Sequence, residues 1–141
     1  MDKTDKQIID VLNSWKGTKW IHGQSLKGVG TDCIQFVISA AKELEWLPSD
    51  YQSIKYNKDW ALHNEISVLE QEIAKFAIKV SSPFQVGDVL LFIYGKCASH
   101  AGFYIGNNMM IHAYQRGGIV RSSVRHYMNR FHSAWRVKEN G

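Results

Sequence analysis

The apolar residues change their spacing near Pro83, and this change constrains the fold more than any other feature. Before it, they recur every three to four positions, as on helices, in three segments: 2–15, 33–47 and 60–76. After it, short segments rich in β-branched and aromatic residues are separated by Gly or Asn: 89–94, 101–105, 109–114, 118–124 and 133–137. Helices followed by strands predict an α+β fold, with N-terminal helices packed on an antiparallel β-sheet.

The length and composition are those of one ordinary folded domain. The chain has 141 residues, of which 45% are hydrophobic and 21% charged, and such values exclude disordered and fibrous classes. The longest apolar run, 89–94, is far too short to cross a bilayer, and the polar start MDKTDKQ lacks the apolar core of a signal peptide. We therefore expect a single domain over residues 1–141 that is synthesised in the cytoplasm and does not insert into a membrane.

The charge is mildly positive and does not identify a partner. Lys and Arg total 17 against 13 for Asp and Glu, which gives a formal net charge of +4. This excess attracts nucleic acid and an anionic cell wall alike. The C-terminal arginines form no continuous basic helix, which argues against nucleic-acid binding. They are Arg116, Arg121, Arg125, Arg130 and Arg136.

One of the two cysteines, Cys33, stands where a thiol can become reactive. Two cysteines are too few for a disulfide framework and suit a reducing compartment. Cys33 follows a glycine-rich loop, 17–32, and opens the helix predicted over 33–47, which Pro48 ends. Thr31 and Asp32 are good N-cap residues, so Cys33 falls in the first turn. Backbone N–H groups and the helix dipole there favour a thiolate, which predicts a lowered pKa and a nucleophile.

Two of the six histidines, His100 and His112, flank a natural hairpin turn at residues 106–108. A three-residue loop would oppose Gly102 to His112 and make the histidines diagonal neighbours on one sheet face, about 7 to 8 Å apart at the backbone. A two-residue loop would place them on opposite faces. The first register lets His100 act as base while His112 orients its ring. It also gives the other face to core residues: Ala101, Phe103, Ile105, Ile111 and Ala113.

Three segments carry a family resemblance. The stretch GTKWIHGQSLKGVGTDCIQFV resembles the nucleophile segment of the NlpC/P60 cysteine peptidases, particularly their phage-type branch, and VGDVLLF with SHAGFYIGNNMMIHAY resembles their histidine segments. The resemblance spans residues 15–135 and implies a papain-like fold. Position by position, it makes Cys33 the nucleophile, His100 the base and His112 the third polar residue.

The resemblance also implies a substrate and a setting. The family typically hydrolyses amide bonds in peptidoglycan stem peptides, commonly between γ-D-glutamate and a diamino acid, without a metal or other cofactor. The absence of a wall-binding module favours a phage or prophage virion component that acts at the cell wall with tail proteins as partners. Two alternatives stay open: a thiol acyltransferase or deamidase of the same fold, and a structural tail-tip protein whose triad is vestigial.

Further residues receive assignments from their place in the chain. We expect Trp20, His22 and Asp32, all in the loop before Cys33, to contribute to substrate binding, and Asp32 also to shape that loop and the helix start. A zinc site remains an alternative use of Cys33, Cys97, His100 and His112, although the spacing offers no second close ligand pair. The remaining aromatic and imidazole side chains are assigned to the core or the surface: Trp15, Trp46, Trp60 and Trp135 to the core, and His63, His126 and His132 to structural or exposed positions.

Overall fold

The computed structural model describes residues 3–53, 55–57 and 67–137. It has helices before the main strands, as the sequence predicts. The helices are α1 Asp5–Asn13, α2 Cys33–Glu43 and α3 Val68–Ala74. The short strands between α1 and α2 are β1 Lys19–Trp20, β2 Ser25–Leu26 and β3 Gly30–Thr31. The later strands are β4 Ala77–Val80, β5 Val89–Tyr94, β6 Cys97–Gly106, β7 Met109–Tyr114, β8 Gly118–Ser123 and β9 Phe131–Val137, with a 3-10 helix, Val124–Arg130, before β9.

The six later strands form one antiparallel sheet in the order β4-β9-β5-β6-β7-β8. Helix α2 packs against one face of this sheet, where the predicted core positions of β6 and β7 are all buried. The opposite face carries a smaller apolar cluster: Leu90, Phe92, Met110, Val124 and Ala134. The fold is therefore α+β with helices packed on an antiparallel sheet. Among the tryptophans, Trp15, Trp46 and Trp135 are buried as expected.

Helix α2 ends earlier than the sequence predicts. Its N-cap is Asp32, whose side chain accepts a hydrogen bond from the Gln35 N–H, but its last residue is Glu43 rather than residue 47. Glu45 adopts a left-handed conformation with φ 62°. The Trp46 N–H then bonds back to the carbonyl of Ala41 at 2.8 Å. This Schellman-type reversal stops the helix before Pro48 can.

The glycine-rich stretch before Cys33 is more regular than the predicted irregular loop. It contains the small sheet β1-β3-β2, and it is bound to the start of β8. The Ile119 N–H donates to the Thr18 carbonyl at 2.8 Å, and the Gly17 N–H donates to the Ile119 carbonyl at 3.2 Å. At Gly118 φ is +72° and a Cβ would collide with the Thr18 carbonyl, so only glycine fits. This contact joins the loop to the sheet.

The β6–β7 hairpin has the register predicted for it. Gly102 pairs with His112, but the turn differs from the predicted three-residue loop. Asn107 and Asn108 both have positive φ, 52° and 60°, and form a two-residue turn, while the register shifts between Tyr104 and Gly106. This bulge adds one residue to β6 and restores the parity that a two-residue turn alone would have lost.

Several elements lie outside the sequence predictions. Of the helix predicted over 60–76, the described part is α3, while residues 58–66, including Trp60 and His63, lie outside the described residues. Strand β4 and the 3-10 helix were not predicted. Across the described ranges, every helix is too short or too polar to span a bilayer.

Candidate active site

Cys33 is the first residue of α2 and lies at the contact between this helix and β6. Its residue is 9% exposed, and its thiol donates a hydrogen bond to the Ser99 carbonyl at 3.4 Å. Ser99 occupies the irregular part of β6, where the pairing with β5 shifts register. The helix start and the bulged strand together hold the thiol at the wall of a cleft.

The two histidines that the sequence singled out are hydrogen-bonded to each other. His100 Nε2 lies 2.7 Å from His112 Nδ1, and the two rings meet edge to face with centroids 4.9 Å apart. On its far side, His112 Nε2 lies 2.8 Å from the Ser122 hydroxyl. His112 is fully buried, and the Tyr127 ring packs edge to face against it at 5.3 Å. The result is a continuous row from His100 through His112 to Ser122.

A cleft of about 280 Å³ opens beside Cys33 and His100. The three residues predicted to contact substrate or shape the loop, Trp20, His22 and Asp32, all line it. Most of its other lining residues were not predicted and come from several elements: Ile34, Tyr56, Tyr94, Ser99, Ala113, Tyr114, Gln115 and Tyr127. His112 lies behind this lining and contacts the cleft through His100.

Asp32 ties the loop before the helix to the helix start. One carboxylate oxygen accepts from the Gln35 N–H at 2.8 Å. The other accepts from the Gly23 N–H at 2.7 Å and from the Tyr56 hydroxyl at 2.6 Å, and His22 Nδ1 lies 3.8 Å away. These donors satisfy a side chain that is only 3% exposed.

The electrostatics correct one sequence prediction. Burial, and then the charge of Asp32, raise the pKa of the Cys33 thiol to about 12, and the amide N–H groups near the sulfur oppose this shift without reversing it. The predicted lowered pKa of Cys33 is therefore wrong. Burial and the neighbouring His112 lower the pKa of His100 to about 3, and burial lowers the pKa of His112 to about 4. All three groups are neutral at pH 7.

Cys97, His126 and His132 do not line the cleft. Cys97 is buried at the start of β6 and does not line the cleft, and its burial raises the pKa of its thiol. His126 and His132 are exposed. Within residues 3–53, 55–57 and 67–137, His, Cys, Asp and Glu side chains form no group of three that could hold a metal ion, so the zinc alternative gains no support.

Ser122 is the polar neighbour that the sequence argument missed, although a signal for it exists. Tyr114 pairs with Gly118, and His112 pairs with Val120. Ser122 is therefore diagonal to His112 on the same face, as His100 is on the other side. Extending the register argument by one more strand would have found it. Tyr56, Tyr94 and Tyr127 of the cleft carry no comparable signal, because they come from segments far apart in the chain.

Comparison with known proteins identifies a family and relatives of this chain. The model of the NlpC/P60 family matches residues 15–136. The murein DD-endopeptidase MepS/murein LD-carboxypeptidase of Escherichia coli K12 is 32% identical over 136 residues, which cover 93% of this chain and 62% of that protein. The chain therefore spans less than two thirds of this curated relative.

Two solved structures share the fold. The NlpC/p60 domain of the peptidoglycan hydrolase SagA superposes with a TM-score of 0.66 at 17% identity, covering 96% of this chain and 99% of that one. An NlpC/P60 family protein from Bacillus cereus gives a TM-score of 0.69 at 19% identity, covering 97% of this chain and 41% of that one. At such identities the likeness concerns the fold alone.

Proposed function

The chain belongs to the NlpC/P60 family, and from this membership we propose that it is a cysteine endopeptidase of the bacterial cell wall. Its substrate would be a peptidoglycan stem peptide, cleaved at the amide bond between γ-D-glutamate and a diamino acid. Cys33 acts as nucleophile, His100 as base and His112 as the group that orients His100. The observation that carries the proposal is the hydrogen-bonded histidine pair next to a thiol at a helix start, with Cys33 and His100 both lining one cleft and His112 behind it.

The bond between the histidines selects which nitrogen of His100 is reactive. Nε2 is engaged with His112, which leaves Nδ1 to receive the thiol proton. For this, Nδ1 must be unprotonated, so the His100 proton resides on Nε2 and is donated to His112 Nδ1. The same bond persists when His100 becomes an imidazolium, and His112 then stabilises the ring that has gained charge.

During acylation, one proton passes from Cys33 to His100 and then from His100 to the leaving amine. Cys33 Sγ attacks the carbonyl carbon while its proton passes to His100 Nδ1, and the backbone N–H of Cys33 at the helix start donates to the developing oxyanion. The C–N bond then breaks as His100 returns the proton to the leaving amine, which leaves a thioester. Water attacks the thioester, gives its proton to His100, and the C–S bond breaks to release the acid and restore the thiol.

The raised thiol pKa favours proton transfer during attack over a preformed ion pair. Burial stabilises the neutral forms of both Cys33 and His100. The thiol therefore keeps its proton until a carbonyl is in place, and His100 takes that proton as the C–S bond forms. A neutral resting thiol also resists oxidation and adventitious alkylation.

The test is digestion of purified peptidoglycan fragments in ¹⁸O-labelled water, followed by mass spectrometry of the products. We expect cleavage of one stem-peptide bond, with one ¹⁸O atom in the new carboxylate, by the unmodified protein and by Cys97→Ala. Cys33→Ala should give no product. Cys97 is the matched control, because it is the other free, buried cysteine.

Each alternative predicts a different product. Incorporation of an added amine in place of ¹⁸O would identify an acyltransferase, and release of ammonia from an intact peptide would identify a deamidase. No product from fragments of any composition would favour a structural protein. The further proposal, that the chain acts as a virion component with phage tail proteins as partners, is tested by searching for it in purified virions from an induced lysogen.

A further inference from the structure

We propose that Ser122 is a positioning residue that fixes the tautomer of His112 and, through it, the base nitrogen of His100. This inference rests on the proposed function for its effect on rate, but not for its effect on His112 itself. The Ser122 hydroxyl lies 2.8 Å from His112 Nε2, and it is the hydrogen-bond partner of that nitrogen among residues 3–53, 55–57 and 67–137.

The row of three side chains follows from strand register. His100, His112 and Ser122 lie on three adjacent strands, β6, β7 and β8, each diagonal to the next on the same sheet face. His112, in the middle, is fully buried and packed against Tyr127. Water therefore has no access to replace a missing partner at Nε2, and the hydroxyl has to satisfy this nitrogen.

The direction of each hydrogen bond decides whether the base can work. A neutral imidazole carries one proton. If His112 carries it on Nε2, donating to the Ser122 oxygen, then Nδ1 accepts from His100 Nε2 and His100 Nδ1 is free for the thiol proton. If His112 instead carries its proton on Nδ1, that N–H donates to His100 Nε2. The proton of His100 must then lie on His100 Nδ1, which blocks the nitrogen that should receive the thiol proton.

The Ser122 hydroxyl can donate or accept, and in the proposed arrangement it accepts from His112 Nε2 and so selects the productive tautomer. Without an acceptor at Nε2, the two His112 tautomers come closer in energy and a fraction of the molecules is held in the blocked form. The expected loss is that of one ordinary hydrogen bond, about tenfold in kcat. KM should change by less than about twofold, because Ser122 does not line the cleft.

The experiment uses two isosteric variants, Ser122→Thr and Ser122→Val, which differ only in a hydroxyl against a methyl group. Both β-branched residues suit a strand. Ser123→Ala is the neighbouring control, because the Ser123 side chain makes no capping hydrogen bond. The readouts are the ¹⁵N shifts of both His112 nitrogens, which report the tautomer without any substrate, and kcat and KM on peptidoglycan fragments.

We expect the unmodified protein, Ser122→Thr and Ser123→Ala to carry the His112 proton on Nε2 and to share one kcat. Ser122→Val should show a mixed tautomer and the tenfold fall in kcat. A proton on Nδ1 in the unmodified protein, or equal tautomer and kcat in the Thr and Val variants, would overturn the role of Ser122. Tautomers that respond as expected in a protein inactive on every substrate would instead overturn the proposed function and leave the Ser122–His112 coupling standing.

Discussion

The proposed nucleophile and the proposed base are held in place by two different kinds of structure. Cys33 gains its place at a helix start from local features: a glycine-rich approach, the Asp32 N-cap and the first turn of α2. The histidines depend on pairing between strands, including a bulge that corrects the register of β6. The local sequence therefore determines where the Cys33 thiol lies. The reactivity of this thiol depends on the residues that the sheet brings next to it.

The largest expected effect separates the two cysteines. Cys33→Ala should lower the turnover rate by at least about 10⁴-fold, because no other group can replace the attacking sulfur. Cys97→Ala should retain activity within about twofold once folded, because Cys97 does not line the cleft. Steady-state rates on peptidoglycan fragments check both. Retention of more than about a tenth of the activity by Cys33→Ala would break the assignment of the nucleophile.

The second effect concerns the two buried histidines and the pH dependence of the free energy of unfolding. His100 and His112 have pKa values of about 3 and 4 in the fold, against an ordinary value of 6.5. Below pH 6.5 the unfolded chain therefore binds more protons than the folded one, so stability falls as the pH falls from 6.5 towards 4. Urea unfolding across this range should show a steep decline that becomes shallower in His112→Gln.

The control for this decline is the exposed His126. His126→Gln should leave the slope of the unfolding free energy against pH almost unchanged. An equal loss of slope in His126→Gln and His112→Gln would show that the buried pair is not the source of the acid sensitivity.

The third effect concerns Cys33 and the pH dependence of its alkylation. The charge of Asp32 is the second cause of the raised Cys33 pKa, so Asp32→Asn should shift the pH dependence of Cys33 alkylation to lower pH while Asn still caps the helix. The same substitution at the exposed Asp50 is the control. Peptide mapping after timed iodoacetamide treatment measures Cys33 separately from Cys97. An unchanged or higher midpoint in Asp32→Asn would contradict this electrostatic account.

The smallest effect concerns the N-cap of α1, which should affect stability but not catalysis. Thr4 caps α1 in a reciprocal capping box with Gln7. Thr4→Ala should lower the free energy of unfolding by about 1 kcal/mol and leave kcat unchanged, whereas Thr4→Ser should be neutral for both. Thermal unfolding and steady-state kinetics provide the measurements. A fall in kcat for Thr4→Ala would mean that α1 is coupled to the cleft.

Sequence reasoning succeeded where short-range rules decide the structure. The cap at Asp32 and the pairing of Gly102 with His112 were both predicted, the latter through a three-residue loop. The real turn has two residues, Asn107 and Asn108, and the bulge compensates. The alternation of polar and apolar residues on β6 and β7 determines which side chains share a sheet face. More than one turn geometry is compatible with that arrangement.

The features that escaped prediction depend on distant packing. Apart from Tyr114 of β7, the tyrosine lining of the cleft comes from the loop at Tyr56, from β5 and from the 3-10 helix, and no local pattern connects these segments. The raised pKa of Cys33 escaped for the same reason. A helix start favours a thiolate, but the burial that outweighs it becomes visible only when α2 lies on the sheet.

The most direct test of the central claim is to trap the acyl-enzyme. The protein is mixed with a stem-peptide fragment, quenched in acid within the first turnover and analysed by mass spectrometry, with Cys33→Ala treated in parallel. We predict an adduct on the peptide that contains Cys33, with the mass of the acyl part of the substrate, and none in the variant. Cleavage of the fragment without such an adduct, at equal rates in both proteins, would contradict the account.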